Sequence, residues 1–276
     1  VITGATSGIG YQAARMYASR GANLLCINRN IEKSTTLRDE ITREFGGECE
    51  FKIADFERIA DIKKVGNELV HLEKRIDVLI CNAGVFSTRK EITGDGYELA
   101  FQVNYLATFL LTYMLREKLK QQGNARIIYV NSEGHRFATW GIHLDDLAFE
   151  KHKYDGYKSY GASKTAQLLS MIKFNDYFSG SSVTINAMHP GDVKSNIGAN
   201  NGRLYRWYKK HLLDPTLKSP ERSATALYYL GVSPDVSTTS GKFFNLTTVE
   251  IPAPPARDRD VAEALWDTTI TMLGLR

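Results

Sequence analysis

The sequence is poor in cysteine, and the three it has, Cys26, Cys49 and Cys81, are an odd number without a C-x-x-C spacing. All three fall in apolar, strand-like surroundings. That excludes a disulfide frame or a cysteine zinc site and predicts buried thiols in a reducing intracellular compartment, cytoplasmic or membrane-associated. No apolar run reaches the roughly 18 residues a membrane span needs, so any membrane contact is expected to be at the surface. There is no dense block of Lys and Arg, and a net charge of +4 over 276 residues is mild, which argues against nucleic acid as a partner. Internal repeats and low-complexity tracts are missing as well. With 43% hydrophobic and 24% charged residues the chain has material for one large core, and a single domain over 1–276 is expected. The first residue is a valine already inside a strand pattern, so the natural chain is expected to begin earlier, together with any targeting or anchor segment.

What the chain does have is alternation. Short apolar runs interleave with amphipathic stretches of helical length as far as about residue 190. Strands are expected at 1–2, 23–28, 50–53, 77–81, 125–131, 183–188 and 242–245, and helices at 9–19, 31–45, 58–74, 95–121, 160–178 and 257–273. The runs Leu24-Leu25-Cys26-Ile27 and Val78-Leu79-Ile80-Cys81 do not alternate polar with apolar, as befits central parallel strands buried on both faces. The prediction is an α/β fold, a single-domain Rossmann-type doubly wound parallel sheet of about seven strands with helices on both faces. Beyond Pro190 the regularity stops. Residues 192–220 are polar, glycine-bearing and aromatic, and are expected to form a lid over a substrate. Within it, residues 203–213 alternate aromatics with bases; they read either as a cover whose bases touch an anionic group or lipid headgroups, or as an amphipathic helix with snorkelling lysines.

The first ten residues, V-I-T-G-A-T-S-G-I-G, combine a strand, a glycine-rich turn and a helix start. Uncapped backbone N–H groups at the positive end of a helix dipole bind phosphate. Gly4 would permit the turn, Gly8 the close approach of a pyrophosphate and Gly10 the packing of helix on strand, with Thr6, Ser7 and Ile9 completing the cradle. The absence of a Gly-Lys-Ser/Thr ending argues against nucleotide hydrolysis. About 20 residues on, where a site selecting NAD places a carboxylate on the ribose 2′-hydroxyl, the chain has Asn28-Arg29. A guanidinium there would pair with a 2′-phosphate, so NADP(H) is favoured over NAD(H); the alternative is a solvated loop arginine.

A phenol and an ammonium one helical turn apart, Y-x-x-x-K, suit proton transfer, because the cation lowers the phenol's pKa from about 10. With 14 tyrosines the chain has three such pairs, Tyr154/Lys158, Tyr160/Lys164 and Tyr205/Lys209. Asp155-Gly156 interrupts the first as poor helix interior, and the third lies in the irregular region. Tyr160 and Lys164 are preferred, with Gly161-Ala162-Ser163 between them small enough for a planar cofactor to lie against the helix and Leu168, Leu169, Met171 and Ile172 as the buried face.

T-G-A-T-S-G-I-G at 3–10, C-N-A-G at 81–84, V-N-Y-L at 103–106, V-N-S at 130–132, Y-G-A-S-K at 160–164 and H-P-G at 189–191 follow one another in an order and spacing that resembles the short-chain dehydrogenase/reductases. The length between Ser132 and Tyr160 and the S-E-G-H after the fifth strand look most like the retinol dehydrogenase-like branch. The resemblance implies an oxidoreductase moving hydride between a nicotinamide and a carbonyl or alcohol group of a hydrophobic, retinoid-, steroid- or lipid-aldehyde-like substrate. Ser132 would polarise the carbonyl, Tyr160 would donate the proton, Lys164 would hold the nicotinamide ribose and depress the tyrosine pKa, and Asn104 would kink its helix and fix a water relaying protons to Lys164. Asn82, Ala83 and Gly84 would line the cofactor, and Asp55 and Phe56 would meet the adenine, although Asp55 also suits a helix N-cap ahead of Arg58. Pro190 and Gly191 would hold the carboxamide, with Val193 beyond them and Ser195 against the diphosphate. His135, Phe137, Trp140 and Ile142 would line the substrate pocket or belong to the core. Glu133, where a second serine or small residue is usual, and Asp192 after H-P-G depart from the pattern. Homo-oligomers occur in the family. The competing readings are a dinucleotide-binding sensor without turnover and a membrane-peripheral interaction protein.

Overall fold

The computed structural model describes residues 1–191 and 219–275. Strands β1 (Ile2–Thr3), β2 (Leu24–Asn28), β3 (Cys49–Ile53), β4 (Val78–Cys81), β5 (Arg126–Val130), β6 (Thr184–His189), β7 (Phe243–Asn245) and β8 (Thr248–Glu250) form one sheet. Its order is β3-β2-β1-β4-β5-β6-β7-β8. The first seven strands are parallel and β8 returns antiparallel to β7. The chain reverses direction across the sheet between β1 and β4, which is where doubly wound sheets open a crevice at the carboxyl ends of their strands.

Helices α1 (Gly8–Ala18), α2 (Ile31–Phe45), α3 (Ile59–Val70), α4 (Ala107–Gln122), α5 (Gly156–Phe178), α6 (Pro220–Val232) and α7 (Arg259–Leu273) cover both faces. One core packs the sheet against α3, α4, α5 and α7, and the other packs it against α1, α2 and α6. Local chemistry sets the helix ends. Asn30 accepts the Lys33 N–H at the start of α2, and Gly46 takes the left-handed conformation (φ 67°) at its end. Asp155 accepts the N–H groups of Tyr157 and Lys158, which starts α5 four residues before the expected 160. At the first position of that helix only glycine fits, since a Cβ on Gly156 would lie 2.3 Å from the Ser87 carbonyl.

Three expectations need correction. The sheet has eight strands, because Thr248–Glu250 folds back on β7 as a short hairpin arm. A helix, α6, begins at Pro220 behind a Ser219 cap, where no helix was expected. The long stretch expected as one helix over 95–121 is instead a loop, a π-helical turn (Phe101–Leu106) and then α4. The expected lid lies outside the described residues apart from its last two positions, 219 and 220. The three cysteines are buried and free, and burial pushes the Cys81 thiol up to about 12, far from a reactive thiolate. None of the described helices is long and apolar enough to cross a membrane.

Candidate active site

The N-terminal turn keeps the backbone of the first glycines free of side chains. Gly4 and Gly8 have φ of 68° and 55°, which a side chain would oppose. A Cβ on Gly10 would sit 2.3 Å from the Gly4 carbonyl and 2.4 Å from Asn82 Nδ2. Ser7 stands at the N-cap of α1 in extended conformation without a side-chain cap, so no hydroxyl of its own closes the helix end. Asn82 Nδ2 donates to the carbonyls of Thr3 and Gly4 at 3.0 Å each, and Thr3 Oγ1 accepts the N–H of Asn82 and of Ala83, clamping the loop after β4 onto the glycine turn. At the end of β2, Asn28 Oδ1 accepts the Ala5 N–H at 2.7 Å. Its buried Nδ2 has no hydrogen-bond partner among the described residues, a donor left over beside the glycine turn. A dinucleotide fits this arrangement of small residues, helix terminus and orphaned amide.

Around the carboxyl ends of β4, β5 and β6 lie the groups expected to do chemistry. Ser132, two residues beyond β5, caps the 3-10 turn Glu133–Phe137, its Oγ accepting the Gly134 N–H. Gly134 is where Ser132 and Tyr160 meet. A Cβ there would lie 2.8 Å from Tyr160 Cε1 and 3.1 Å from Ser132 Oγ. Lys164, one turn along α5, places its Nζ 5.8 Å from the Tyr160 ring centre, and Gly84 lies beside both Asn104 and Lys164. Gly134→Ala is therefore expected to displace the phenol and lower kcat by about 10²-fold while dinucleotide affinity holds; fluorescence titration beside steady-state rates checks the split.

Lys164 is buried and donates to the Val130 carbonyl at 2.9 Å and to Gln167 Oε1 at 3.3 Å. Burial pushes its ammonium down to about 7. Gln167 is the hub of the polar network beneath it, donating to the Asn104 carbonyl at 2.7 Å and accepting from Asn131 Nδ2 at 2.9 Å. Asn104 sits fully buried in the π turn. Its side chain donates to Val85 O and Ser163 Oγ and accepts from Val85 N, so it ties the loop after β4 to α5. Its link to Lys164 runs through the Gln167 amide.

Several expected placements change. Gly161 does not face a cofactor: a Cβ there would touch Gly134 O and Ala138 N at 2.9 Å each, so this glycine lets the Ser132 turn rest on α5. Ser163 is engaged with Asn104 rather than presenting a flat surface. Asp55 is not the N-cap of α3. The cap position is Arg58, the Ile59 N–H is taken by Asp95 from 36 residues away, and the Asp55 carboxylate accepts the Glu57 N–H. The Phe56 side chain belongs to the core. His135 is fully buried with both ring nitrogens engaged, one on Ser132 O and one on Ala253 N, so it supports the serine turn. Phe137 and Trp140 are exposed and border a small cavity of about 100 Å³ together with Ile142. Gly191 has φ 74° and Pro190 O accepts from Ser223 Oγ; Val193 and Ser195 lie outside the described residues.

Sequence reasoning missed one cluster next to the site. His189 ends β6, and its Nδ1 accepts the Gly191 N–H, leaving Nε2 to face Glu250 at 3.3 Å and Glu133 at 3.4 Å. Arg136 pairs with both carboxylates. The departure at Glu133 thus joins the serine turn to the strand that carries Pro190-Gly191. Only its unusual residue type signalled it.

A glycine turn at the crevice of a doubly wound sheet, with a serine, a tyrosine and a lysine beyond it, is the arrangement expected of a nicotinamide-dinucleotide-dependent oxidoreductase. A family model described as short chain dehydrogenase matches residues 1–141, and the chain belongs to that family. Human retinol dehydrogenase 13 is 34% identical over 280 residues, covering 100% of this chain and 84% of the relative. Human retinol dehydrogenase 11 is 32% identical over 277 residues, covering 100% and 85%. Among solved structures, a short-chain dehydrogenase from Sphingobium yanoikuyae in complex with NADPH shares the fold at a TM-score of 0.65, with 24% identity over 82% of this chain and 81% of that one.

Proposed function

We propose that the protein is an NADP(H)-dependent carbonyl reductase or alcohol dehydrogenase for a bulky hydrophobic substrate. The observation that carries this reading is the meeting of Ser132 Oγ and the Tyr160 ring at Gly134. When bound, the nicotinamide supplies or accepts the hydride. As negative charge builds on the carbonyl oxygen, the Ser132 hydroxyl and the Tyr160 phenol donate to it, stabilising the transition state more than the ground state. Tyr160 then gives up its proton, and Lys164 beside it favours the phenolate that remains. In alcohol oxidation the same phenolate takes the proton.

Apolar surface near Tyr160 supports a large substrate. Phe86 contacts both Tyr160 and Tyr157 edge-on or tilted, at centroid distances of 5.7 and 5.1 Å, and Phe137 meets Tyr157 at 5.5 Å. Tyr157, Phe137 and Trp140 are exposed at 48%, 49% and 75%, enough apolar rim to grip a retinoid-, steroid- or lipid-aldehyde-like compound. The names of the retinol dehydrogenase relatives agree with such a substrate. Arg29 at the end of β2 supports NADP(H), since no acid precedes it in that strand. The test is turnover of a panel of apolar and polar aldehydes with NADPH and with NADH. Apolar aldehydes with NADPH are expected to give the highest kcat/KM, and selectivity for small polar aldehydes would overturn the reading. Arg29→Ala should reduce the NADPH/NADH ratio of kcat/KM by about tenfold.

A further inference from the structure

Strand β2 ends without a carboxylate, yet the fold brings one in from elsewhere. The parallel register sets Asn28 opposite Ile53, and the Ala54 N–H bonds to Asn28 O. The segments that follow β2 and β3 therefore run side by side. Glu57, 28 residues from Arg29, places Oε1 2.6 Å from the guanidinium Nη1. Its position is set by a turn, because its N–H bonds to the Asp55 carboxylate. The side chains of Arg29 and Glu57 are 54% and 37% exposed, so the pair is readily opened.

We propose that Glu57 is a specificity-determining residue which, through its contact with Arg29, limits the preference for NADP(H) and lets the site accept NAD(H) as well. This rests on the reading of Arg29 as the partner of a 2′-phosphate. A carboxylate accepts from a ribose 2′-hydroxyl, the role that an acid at the end of β2 plays in sites selecting NAD. Against a 2′-phosphate, the same carboxylate competes for the guanidinium and repels the ligand's charge. Arg29 keeps further donors when one is paired, so the two ligands draw on different members of the same ion pair.

Binding, read without turnover, tests this. Dissociation constants for NADPH and NADH are measured by nicotinamide fluorescence with the full chain, as wild type, Glu57→Gln and Arg29→Ala, at low and high salt. Circular dichroism confirms folding of these surface variants. Glu57→Gln should tighten NADPH by about three- to tenfold, leave NADH equal or weaker, and show a smaller gain at high salt. Should Arg29→Ala lower the NADPH/NADH affinity ratio while Glu57→Gln leaves it unchanged or lowers it, the Glu57 proposal fails and the phosphate reading stands. Should Arg29→Ala leave the ratio unchanged, the phosphate reading itself fails.

Discussion

Tyr160→Phe is expected to bind NADPH as tightly as wild type and to lose about 10³-fold or more in kcat. The substitution removes one oxygen from a ring whose packing is otherwise kept, because Phe86 contacts the ring and Gly134 abuts its edge. Lys164 holds its place through Val130 O and Gln167 Oε1, neither of which depends on the phenol. Ser132 survives as a single donor to the substrate oxygen, which stabilises charge but leaves the alkoxide without its proton source. Rates for an apolar aldehyde, paired with a fluorescence titration of NADPH, check both halves. Wild-type kcat in this variant would reject the proton-donor role.

Gly10→Ala is expected to abolish measurable dinucleotide binding and to lower stability by about 1–3 kcal/mol. Its Cβ would fall 2.3 Å from a backbone carbonyl and 2.4 Å from the Asn82 amide, and neither moves cheaply. The Asn82 amide is the group that holds Thr3 and Gly4 in register with the loop after β4, so relief of the clash pulls the cradle apart. Thermal unfolding and NADPH titration measure the two effects. Binding unaltered by the added methyl would show that the turn is not the phosphate site.

Much of this was readable in the residues because it depends on local pattern. The apolar runs of β2, β4 and β5 and the glycines of the first turn announce buried parallel strands and a close backbone approach in any context. Preference for Tyr160/Lys164 over Tyr154/Lys158 followed from Asp155-Gly156, which the structure uses as a cap and a first helical residue. The features that escaped depend on contacts between distant segments. β8 is three residues long, with two of them exposed, and exists only because β7 offers an edge. The π turn at Asn104 is a backbone irregularity with no composition of its own. Gly161 was expected to face a cofactor and faces the serine turn instead, because helix phase alone does not say what packs there. The Arg29–Glu57 pair joins the ends of two neighbouring strands, a contact visible only once β2 and β3 are in register.

The most direct test of the central claim, hydride transfer under proton donation by Tyr160, is isotope transfer from NADPH carrying deuterium at both hydrogens of the nicotinamide C4 to a hydrophobic aldehyde, read by mass spectrometry of the product alcohol. The prediction is one deuterium in the alcohol formed by the wild type, and no alcohol above background with Tyr160→Phe although that variant binds the same NADPH. Unlabelled product from the wild type, or equal labelled product from both proteins, would contradict the account.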